Sequence, residues 1–338
     1  LRDKPASCHS TRMLRFVLLI MLAASLSSCY YMQAAKGQLE LTRKREPISD
    51  ILRSETTPPE LARRLRLVQE ARQFSIEELG LPDNDTYRTY ADIERDYVVW
   101  NVFAAPEFSL QAKSWCFPVA GCVAYRGYFS KDAAEREARR LAAKGLDVAT
   151  GGVAAYSTLG KLRDPVLSSM MNWDDVQLVA VLFHELAHQV LYVKGDSGFN
   201  ESFATAVEEI GVRRWLEVRG AVGDMEKYEA SRQLRVDLME LIATVRDDLA
   251  VIYSGELPDD EKRRSKKKLL DRLSGEITLL FESAGRDAGG WRGTELNNAR
   301  LATMVLYEGR LPEFRALYEK CEQRMECFYE KARALAGG

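Results

Sequence analysis

The spacing of apolar residues predicts short strands in the first half of the chain and long helices in the second. Pro58 and Pro59 open a helical pattern that runs to about Gly80, because proline suits a first helical turn and glycine suits the residue after the last one. β-Branched and aromatic runs predict three strands, over 97–104, 122–129 and 153–158. A charged amphipathic pattern predicts a helix over 131–144.

From residue 172 onward, apolar positions repeat at helical spacing almost without interruption. The longest predicted helices of this half cover 225–254, 259–282, 297–308 and 312–335. The pattern therefore predicts a predominantly helical α+β fold, with a small mixed sheet followed by a helical C-terminal half.

The same pattern suggests how the chain is divided. Polar, helix-compatible residues over 29–57 are interpreted as a spacer, and residues 58–338 as a single folded unit. That unit has a mixed α/β part over 58–171 and a helical part over 172–338. The helical part includes a long hairpin over 225–282.

Composition narrows the possible functions. Of the 338 residues, 46% are apolar and 29% are charged, which is typical of a globular chain that can bury a core. The formal net charge is −2, so a nucleic-acid partner has no electrostatic support. No oligomeric state follows from the sequence.

The beginning of the chain has the pattern of a processing signal. An apolar run over 16–26 is too short to span a bilayer comfortably, and it ends in Leu26-Ser27-Ser28-Cys29. This ending resembles the bacterial lipobox, which implies removal of residues 1–28 and a lipid anchor on Cys29. Tyr30 rather than Asp follows the cysteine, so the resemblance favours the outer membrane, facing the periplasm. An ordinary signal peptide with an incidental cysteine is the alternative.

Four further cysteines remain, namely Cys116, Cys122, Cys321 and Cys327. In an oxidising compartment they suggest two disulfides, for which three connectivities exist. Local pairing is attractive because both pairs are close in sequence. Cys321–Cys327 requires a break in the predicted helix, since a spacing of six residues places the two thiols on different sides.

Two of the three histidines lie four residues apart, in a helix that Asp174 or Asp175 caps. In His184-Glu185-Leu186-Ala187-His188, both imidazoles share one helix face and could bind one Zn²⁺ ion. Glu185 would lie beside the metal, where a carboxylate can act as general base for a bound water.

A catalytic zinc site needs a third protein ligand, which must be a carboxylate or thiolate because no other suitable histidine exists. We expect the histidine helix to continue to about Lys194, with a turn and a second, antiparallel helix after it. Glu201, in the first turn of that second helix, is the predicted third ligand. Thr205 and Glu208 lie near the same face and could orient an imidazole.

These motifs resemble gluzincin metallopeptidases and, more closely, the family of predicted zinc aminopeptidase lipoproteins of Gram-negative bacteria. The resemblance covers nearly the whole mature chain. Besides the histidine helix, it is carried by residues 81–84 (LPDN), 100–102 (WNV), 115–122 (WCFPVAGC), 125–129 (YRGYF), 155–160 (AYSTLG), 164–165 (DP), 199–205 (FNESFAT) and 297–300 (NNAR).

The resemblance implies a zincin-like active-site helix and zinc-dependent peptide hydrolysis, with an aminopeptidase as the leading expectation. It also implies that residues 151–156 form an edge strand whose Ala155 and Tyr156 pair with the substrate backbone. Candidates for stabilising the oxyanion are Tyr156, Arg126 and Tyr307, and Arg126 could instead bind a substrate carboxylate. Asn297, Asn298 and Arg300 could line the cleft.

Two features depart from the typical gluzincin. Only twelve residues separate His188 from Glu201, so the connection between the helices must be short. The aminopeptidase signature Gly-Ala-Met-Glu-Asn, which holds a substrate amino terminus, is missing.

Three alternatives remain open. The first is a periplasmic zinc endopeptidase that acts on envelope proteins. The second is a non-catalytic lipoprotein scaffold with a structural zinc, although structural sites normally have four protein ligands. The third is zinc chemistry on a non-peptide amide.

Overall fold

A computed structural model describes residues 30–117, 121–155, 157–291 and 296–337 of the chain. Two compact units are distinguished, and the boundary between them lies after Lys44. In the first unit, residues 30–43 form helix α1. The predicted signal segment, Cys29 and Tyr156 lie outside the described residues.

The second unit contains the small sheets and ten further helices of the described chain. Its strands are β1 (Arg45–Pro47), β2 (Thr89–Ala91), β3 (Val99–Pro106), β4 (Trp115–Phe117), β5 (Gly121–Val123), β6 (Arg126–Tyr128), β7 (Leu146–Val153) and β8 (Val166–Leu167). Its helices are α2 (Ile48–Arg53), α3 (Pro59–Glu77), α4 (Lys131–Ala142), α5 (Asp175–Ala187), α6 (Ser197–Val218), α7 (Val222–Ser254), α8 (Asp259–Ser283), α9 (Asn298–Glu308), α10 (Leu311–Lys320) and α11 (Met325–Ala336). The prediction of a mainly helical α+β fold is confirmed.

The sheet that bears on function has the order β6-β3-β7, and all its pairings are antiparallel. Asn101 lies opposite Gly151, and Phe103 lies opposite Ala149. Helices α4 and α9 both pack against this sheet. The side chain of Ala299, near the start of α9, joins Phe103 in a small apolar cluster.

The position of the third strand corrects the sequence analysis. The strand predicted over 153–158 is wrong, because β7 covers Leu146–Val153 and ends where the prediction began. Gly151 and Gly152 lie inside the strand rather than in a turn before it. A Cβ atom on Gly152 would lie 2.4 Å from the ring of Tyr97, so this glycine provides space for an aromatic side chain.

Two other segments also differ from their predictions. The single strand predicted over 122–129 is divided into β5 and β6. Residues 45–53, which we interpreted as part of the spacer, form β1 and α2, and β1 pairs with β2.

The helix predicted over 312–335 is interrupted between α10 and α11. Glu322 and Gln323 have φ angles of 52° and 60°, values incompatible with a continuous right-handed helix. This break brings the Cα atoms of Cys321 and Cys327 to 5.6 Å, so the two cysteines lie at disulfide distance. Cys116 and Cys122 are register partners across β4 and β5 and also lie at disulfide distance.

Helices α5 and α6 pack closely against each other, as the site requires. A Cβ atom on Gly211 of α6 would lie 2.6 Å from the ring of Phe183 on α5, so only glycine allows this approach. On another side of α6, Phe199 and Phe203 pack with Phe314 of α10. Among the described residues, no helix combines the length and the apolar character that crossing a bilayer requires.

The buried carboxylate of Glu209 connects helices α6, α7 and α10. Glu209 of α6 is 1% exposed and accepts two hydrogen bonds of 2.8 Å from Arg315 of α10. It also forms an ion pair with Arg232 of α7, which is buried as well. The ionised glutamate therefore compensates two guanidinium groups at the junction of α6, α7 and α10.

We expect Glu209→Gln to destabilise the fold by about 3–5 kcal/mol, because it leaves a buried guanidinium without its carboxylate. Urea unfolding of the variant and the parent measures the difference. Glu217→Gln is the matched control, since Glu217 lies on the same helix and is exposed. A loss below about 1 kcal/mol, the value of a surface ion pair, would contradict the prediction.

Candidate metal centre

Helix α5 places the two site histidines on one face. Its first turn is capped by Asp174, whose carboxylate accepts a 2.8 Å hydrogen bond from the backbone N–H of Gln177. His184 and His188 follow one turn apart, with ring centroids separated by 5.0 Å. Both side chains are buried, although imidazoles are more often found at least partly exposed.

The connection to α6 is shorter and tighter than the sequence predicted. The helix ends at Ala187, with His188 at its C-cap, and does not continue to Lys194. Asn200 holds the loop closed, because its side-chain amide donates to the carbonyl of Val193 and accepts from the N–H of the same residue. Sequence reasoning missed this role for Asn200, and an asparagine next to the predicted ligand was the only signal for it.

The loop brings Glu201 to the two histidines. Its Oε2 atom lies 3.3 Å from Nε2 of His184 and 3.7 Å from Nε2 of His188. One ligand atom from each of the three residues lies within 4.8 Å of the others, and all three residues are buried. With metal–ligand bonds of about 2.0–2.1 Å, the edges of a tetrahedral zinc site are about 3.3–3.4 Å long. The arrangement could therefore hold a metal ion.

The outer nitrogen of His184 is held by a second carboxylate. Its Nδ1 atom lies 3.1 Å from Oε2 of Glu208, about two turns after Glu201 on α6. A neutral imidazole that donates from Nδ1 presents the lone pair of Nε2, which faces Glu201. Among the described residues, Nδ1 of His188 has no hydrogen-bond partner. Thr205 is buried on α6, one turn after Glu201.

Burial and the neighbouring carboxylates shift the pKa values of the two histidines in opposite directions. Burial disfavours the charged form of His184, but Glu201 and Glu208 outweigh it and hold its pKa well above the ordinary value. Burial lowers the pKa of His188 to about 4, so this imidazole is neutral at pH 7. Burial opposes the ionisation of Glu201, but the adjacent His184 and His188 lower its pKa overall. At neutral pH the site therefore offers an ionised carboxylate and a neutral imidazole.

Glu185 follows His184 on α5 and is partly buried. Burial raises its pKa to about 7, with smaller contributions from neighbouring charges such as His184, Glu201 and Asp164. A carboxylate whose pKa lies near the working pH is suited to exchange protons with a reacting group. The metal-ligand group thus has a candidate acid–base residue beside it.

The remaining predicted site residues are distributed as follows. Arg126 lies on β6, 3.7 Å from the carboxylate of Glu137, and its guanidinium lies over the ring of Tyr128. Ala155 is buried just after the end of β7. Tyr307 lies on α9, but its side chain is not among the described features, and Tyr156 is outside the described residues.

The family model described as "Putative aminopeptidase" matches residues 29–338 of the chain. The chain belongs to this family. No curated protein and no solved structure shows significant similarity to it. Membership suggests a peptidase, and a buried group that could bind a metal ion is compatible with that activity.

The contact of Glu208 with His184 gives a first prediction about metal binding. We expect Glu208→Gln to weaken metal affinity by about 10–100-fold, because the neutral amide no longer stabilises the donor imidazole as a carboxylate does. Competition with a chromogenic chelator measures the affinity. Glu217→Gln should bind metal like the parent, and equal affinities in all three proteins would exclude a supporting role for Glu208.

Proton release gives a second prediction. Without an ion, His184 carries a proton at pH 7 because its pKa is raised, and a metal ligand must give that proton up. We therefore expect about one proton to be released per ion bound at pH 7, and affinity to rise with pH until it passes that raised pKa. Calorimetric titrations in two buffers with different ionisation enthalpies count the protons. A released number near zero would show that His184 is neutral before the ion arrives.

Proposed function

We propose that the protein is a zinc-dependent peptidase that removes residues from the amino termini of peptides. The observation that carries the proposal is the convergence of His184, His188 and Glu201, in which the two glutamate–histidine distances of 3.3 and 3.7 Å are close to an edge of a tetrahedral zinc site. A set of two imidazoles and one carboxylate suits zinc and leaves a fourth position for water or substrate. The family description supports the choice of an aminopeptidase.

A bound zinc ion would polarise the scissile carbonyl and make a water more acidic. The carboxylate of Glu185 would take a proton from the attacking water and then give it to the nitrogen of the leaving amine. Glu208 would keep Nε2 of His184 available by holding the proton on Nδ1. In this proposal, Glu185 transfers protons and Glu208 orients a ligand imidazole.

Strand β7 provides a surface for an extended substrate. Among the described residues it pairs only with β3, so it is an edge strand. The carbonyl of Val148 accepts a hydrogen bond from the side chain of Asn297 rather than from a strand. Because backbone groups alternate along a strand, the N–H and C=O groups of Thr150 and Gly152 project to the same side as this carbonyl. An added peptide strand could pair with them.

A peptide library incubated with the metal-loaded protein tests the activity. Half of the peptides have free amino termini, and the other half have the same sequences with acetylated termini. Stepwise loss of residues from the free peptides alone, followed by mass spectrometry, is the expected result. Absence of bound metal from the purified protein, with no gain on adding zinc, would refute the proposal.

One observation favours an endopeptidase as the second candidate. The only acidic residue of β7 is Asp147, and its carboxylate is occupied by Lys266 of α8 and by the backbone N–H of Asn298. It is therefore not available to bind a substrate ammonium group. Cleavage of acetylated peptides at internal bonds would identify the protein as an endopeptidase.

We also propose that Cys29 carries a lipid and anchors the protein to the outer membrane, facing the periplasm. The lipobox-like sequence motivates this proposal, and two cysteine pairs at disulfide distance are typical of an oxidising compartment. Metabolic labelling with a fatty acid should label the parent but not Cys29→Ser. Labelling of both proteins equally would exclude this anchor.

A further inference from the structure

A cavity of about 170 Å³ lies between the β6-β3-β7 sheet and helix α9. Strands β3 and β7 form one wall, and the first turns of α9 form the other. Its lining includes Asn101, Phe103, Gly151, Gly152, Arg300 and Thr303. The cavity therefore adjoins the same edge strand that the proposed function uses for substrate.

Small residues on β7 keep the cavity open. Gly151 lies opposite Asn101 in the register, and a Cβ atom placed on it would meet no heavy atom within 4 Å. Asn101 is 7% exposed, and its side chain lines the cavity. This wall thus presents open space and a buried amide.

The opposite wall presents a cation for which the described residues provide no counter-ion. The guanidinium carbon of Arg300 lies 4.8 Å from the centroid of the Trp291 ring, and this cation–π contact orients the group. In the described structure Arg300 forms no ion pair, and its Nε atom is buried without a partner. Burial lowers the pKa of Arg300, yet a guanidinium remains charged at neutral pH. A partly buried charge is stabilised by a partner of opposite charge, which a ligand could supply.

The start of α9 is held rigidly, so Arg300 occupies a fixed position. The side chain of Asn297 caps the helix by accepting from the N–H of Arg300, and it also donates to the carbonyl of Val148 on β7. Asn298 is fully buried and donates to the carbonyls of Pro106 and Glu107. Because these contacts already fix the start of the helix, ligand binding costs little conformational entropy there.

Helix α9 connects the cavity with the metal-ligand helix. Two residues after its last residue, the N–H of Arg310 donates to the hydroxyl of Ser202, the residue after Glu201. The ten residues from Arg300 to Arg310 correspond to about 15 Å at 1.5 Å per residue. At about 3.3 Å per residue, an extended peptide of four or five residues covers that length.

We propose that this cavity is a carboxylate-binding subsite, in which the guanidinium of Arg300 pairs with a carboxylate of the peptide substrate. The proposal deepens the peptidase function and rests on it. Arginine binds carboxylates through two parallel N–H···O bonds, and Asn101 can donate a further one. The carboxylate can belong to the C-terminus of a short peptide or to an acidic side chain. In either case the preferred substrates are acidic or short peptides.

Binding is tested in full-length, metal-loaded Glu185→Gln, so that no turnover interferes. The probes are penta-alanine with a free carboxylate, penta-alanine amide, and the amide with glutamate at position four. We expect the carboxylate form to bind about 10–100-fold more tightly than the amide, as a charge-assisted pair provides. Adding Arg300→Gln should reduce this ratio to about one. Arg139→Gln, an exposed arginine on α4, should leave the ratio unchanged.

Gly151→Val is a second variant that fills the cavity without changing its charge. It should also abolish the preference, and thermal unfolding establishes that each variant is folded. Recovery of tight binding by the glutamate-containing amide would identify an acidic side chain as the source of the carboxylate. Equal binding of acid and amide by the parent, or a preference that persists in Arg300→Gln, would overturn the subsite.

The same probes separate the two proposals. If wild-type protein cleaves peptides but does not distinguish acid from amide, the subsite is wrong and the peptidase stands. If wild-type protein binds the acid in an Arg300-dependent manner but cleaves no peptide, the subsite stands and the peptidase is wrong.

Discussion

Glu185→Gln is expected to keep about one metal ion per chain while peptide hydrolysis falls by at least about 100-fold, the lower limit for losing a general base. The amide has nearly the shape of the carboxylate, so the fold and the ligand group should remain. It cannot take up a proton at neutral pH, whereas burial places the pKa of Glu185 at about 7. Metal analysis of the purified variant and initial rates on the best library peptide provide the two measurements.

The matched control is Asp175→Asn, a second carboxylate-to-amide change on α5. Asp175 is half-exposed and pairs with Arg63 at 2.6 Å and with the more buried Arg64 at 3.5 Å, so its loss should cost about 1 kcal/mol of stability and no activity. If Glu185→Gln retained the parent's rate, another residue would have to move the proton. If it lost its metal instead, Glu185 would contribute to ion binding rather than to proton transfer.

Glu201→Gln should weaken metal binding by more than the roughly 100-fold upper value for a residue that only orients a ligand. The substitution replaces a charged ligand by a neutral amide oxygen, beside two imidazoles that remain in place. Hydrolysis should be lost together with the metal. Added metal should not raise the thermal unfolding temperature of the variant above its value in chelator, whereas it should raise that of the parent, because an ion stabilises only the state that binds it.

Comparison with Glu208→Gln makes this result specific. Both glutamates lie on α6 and both contact His184, but only Glu201 also approaches His188. The expected order of affinity is therefore parent, then Glu208→Gln, then Glu201→Gln. A Glu201→Gln protein with unchanged affinity would mean that the third ligand lies elsewhere in the chain.

The central helix of the site was predictable because its information is local. An aspartate cap, an apolar helical repeat and two histidines four residues apart are all contained within 15 residues, 174–188. Glu201 was also predictable as the third ligand, because the sequence contains no other suitable histidine. The break before Cys327 was anticipated as a condition for the disulfide, although its position was set by Glu322 and Gln323.

Other features depend on contacts that the sequence does not display. The early end of α5 and the loop held by Asn200 arise from one asparagine that satisfies both backbone groups of Val193. Strand β7 was placed too late because Gly151-Gly152 looks like a turn, whereas the ring of Tyr97 explains the glycine at 152. For Arg300, the sequence suggested a place in the cleft but not its position opposite β7. That position depends on contacts between distant segments of the chain.

The metal-ligand group and the cavity differ in the length of the chain segment between the residues that form them. His184 and Glu201 are separated by 17 positions, whereas the contact of Asn297 with Val148 joins residues 149 positions apart. Since closure entropy grows with the logarithm of loop length, the longer loop costs about 2 kcal/mol more to close. During folding, the α5–α6 hairpin therefore brings its ligand residues together at a lower entropic cost than the contact between β7 and α9.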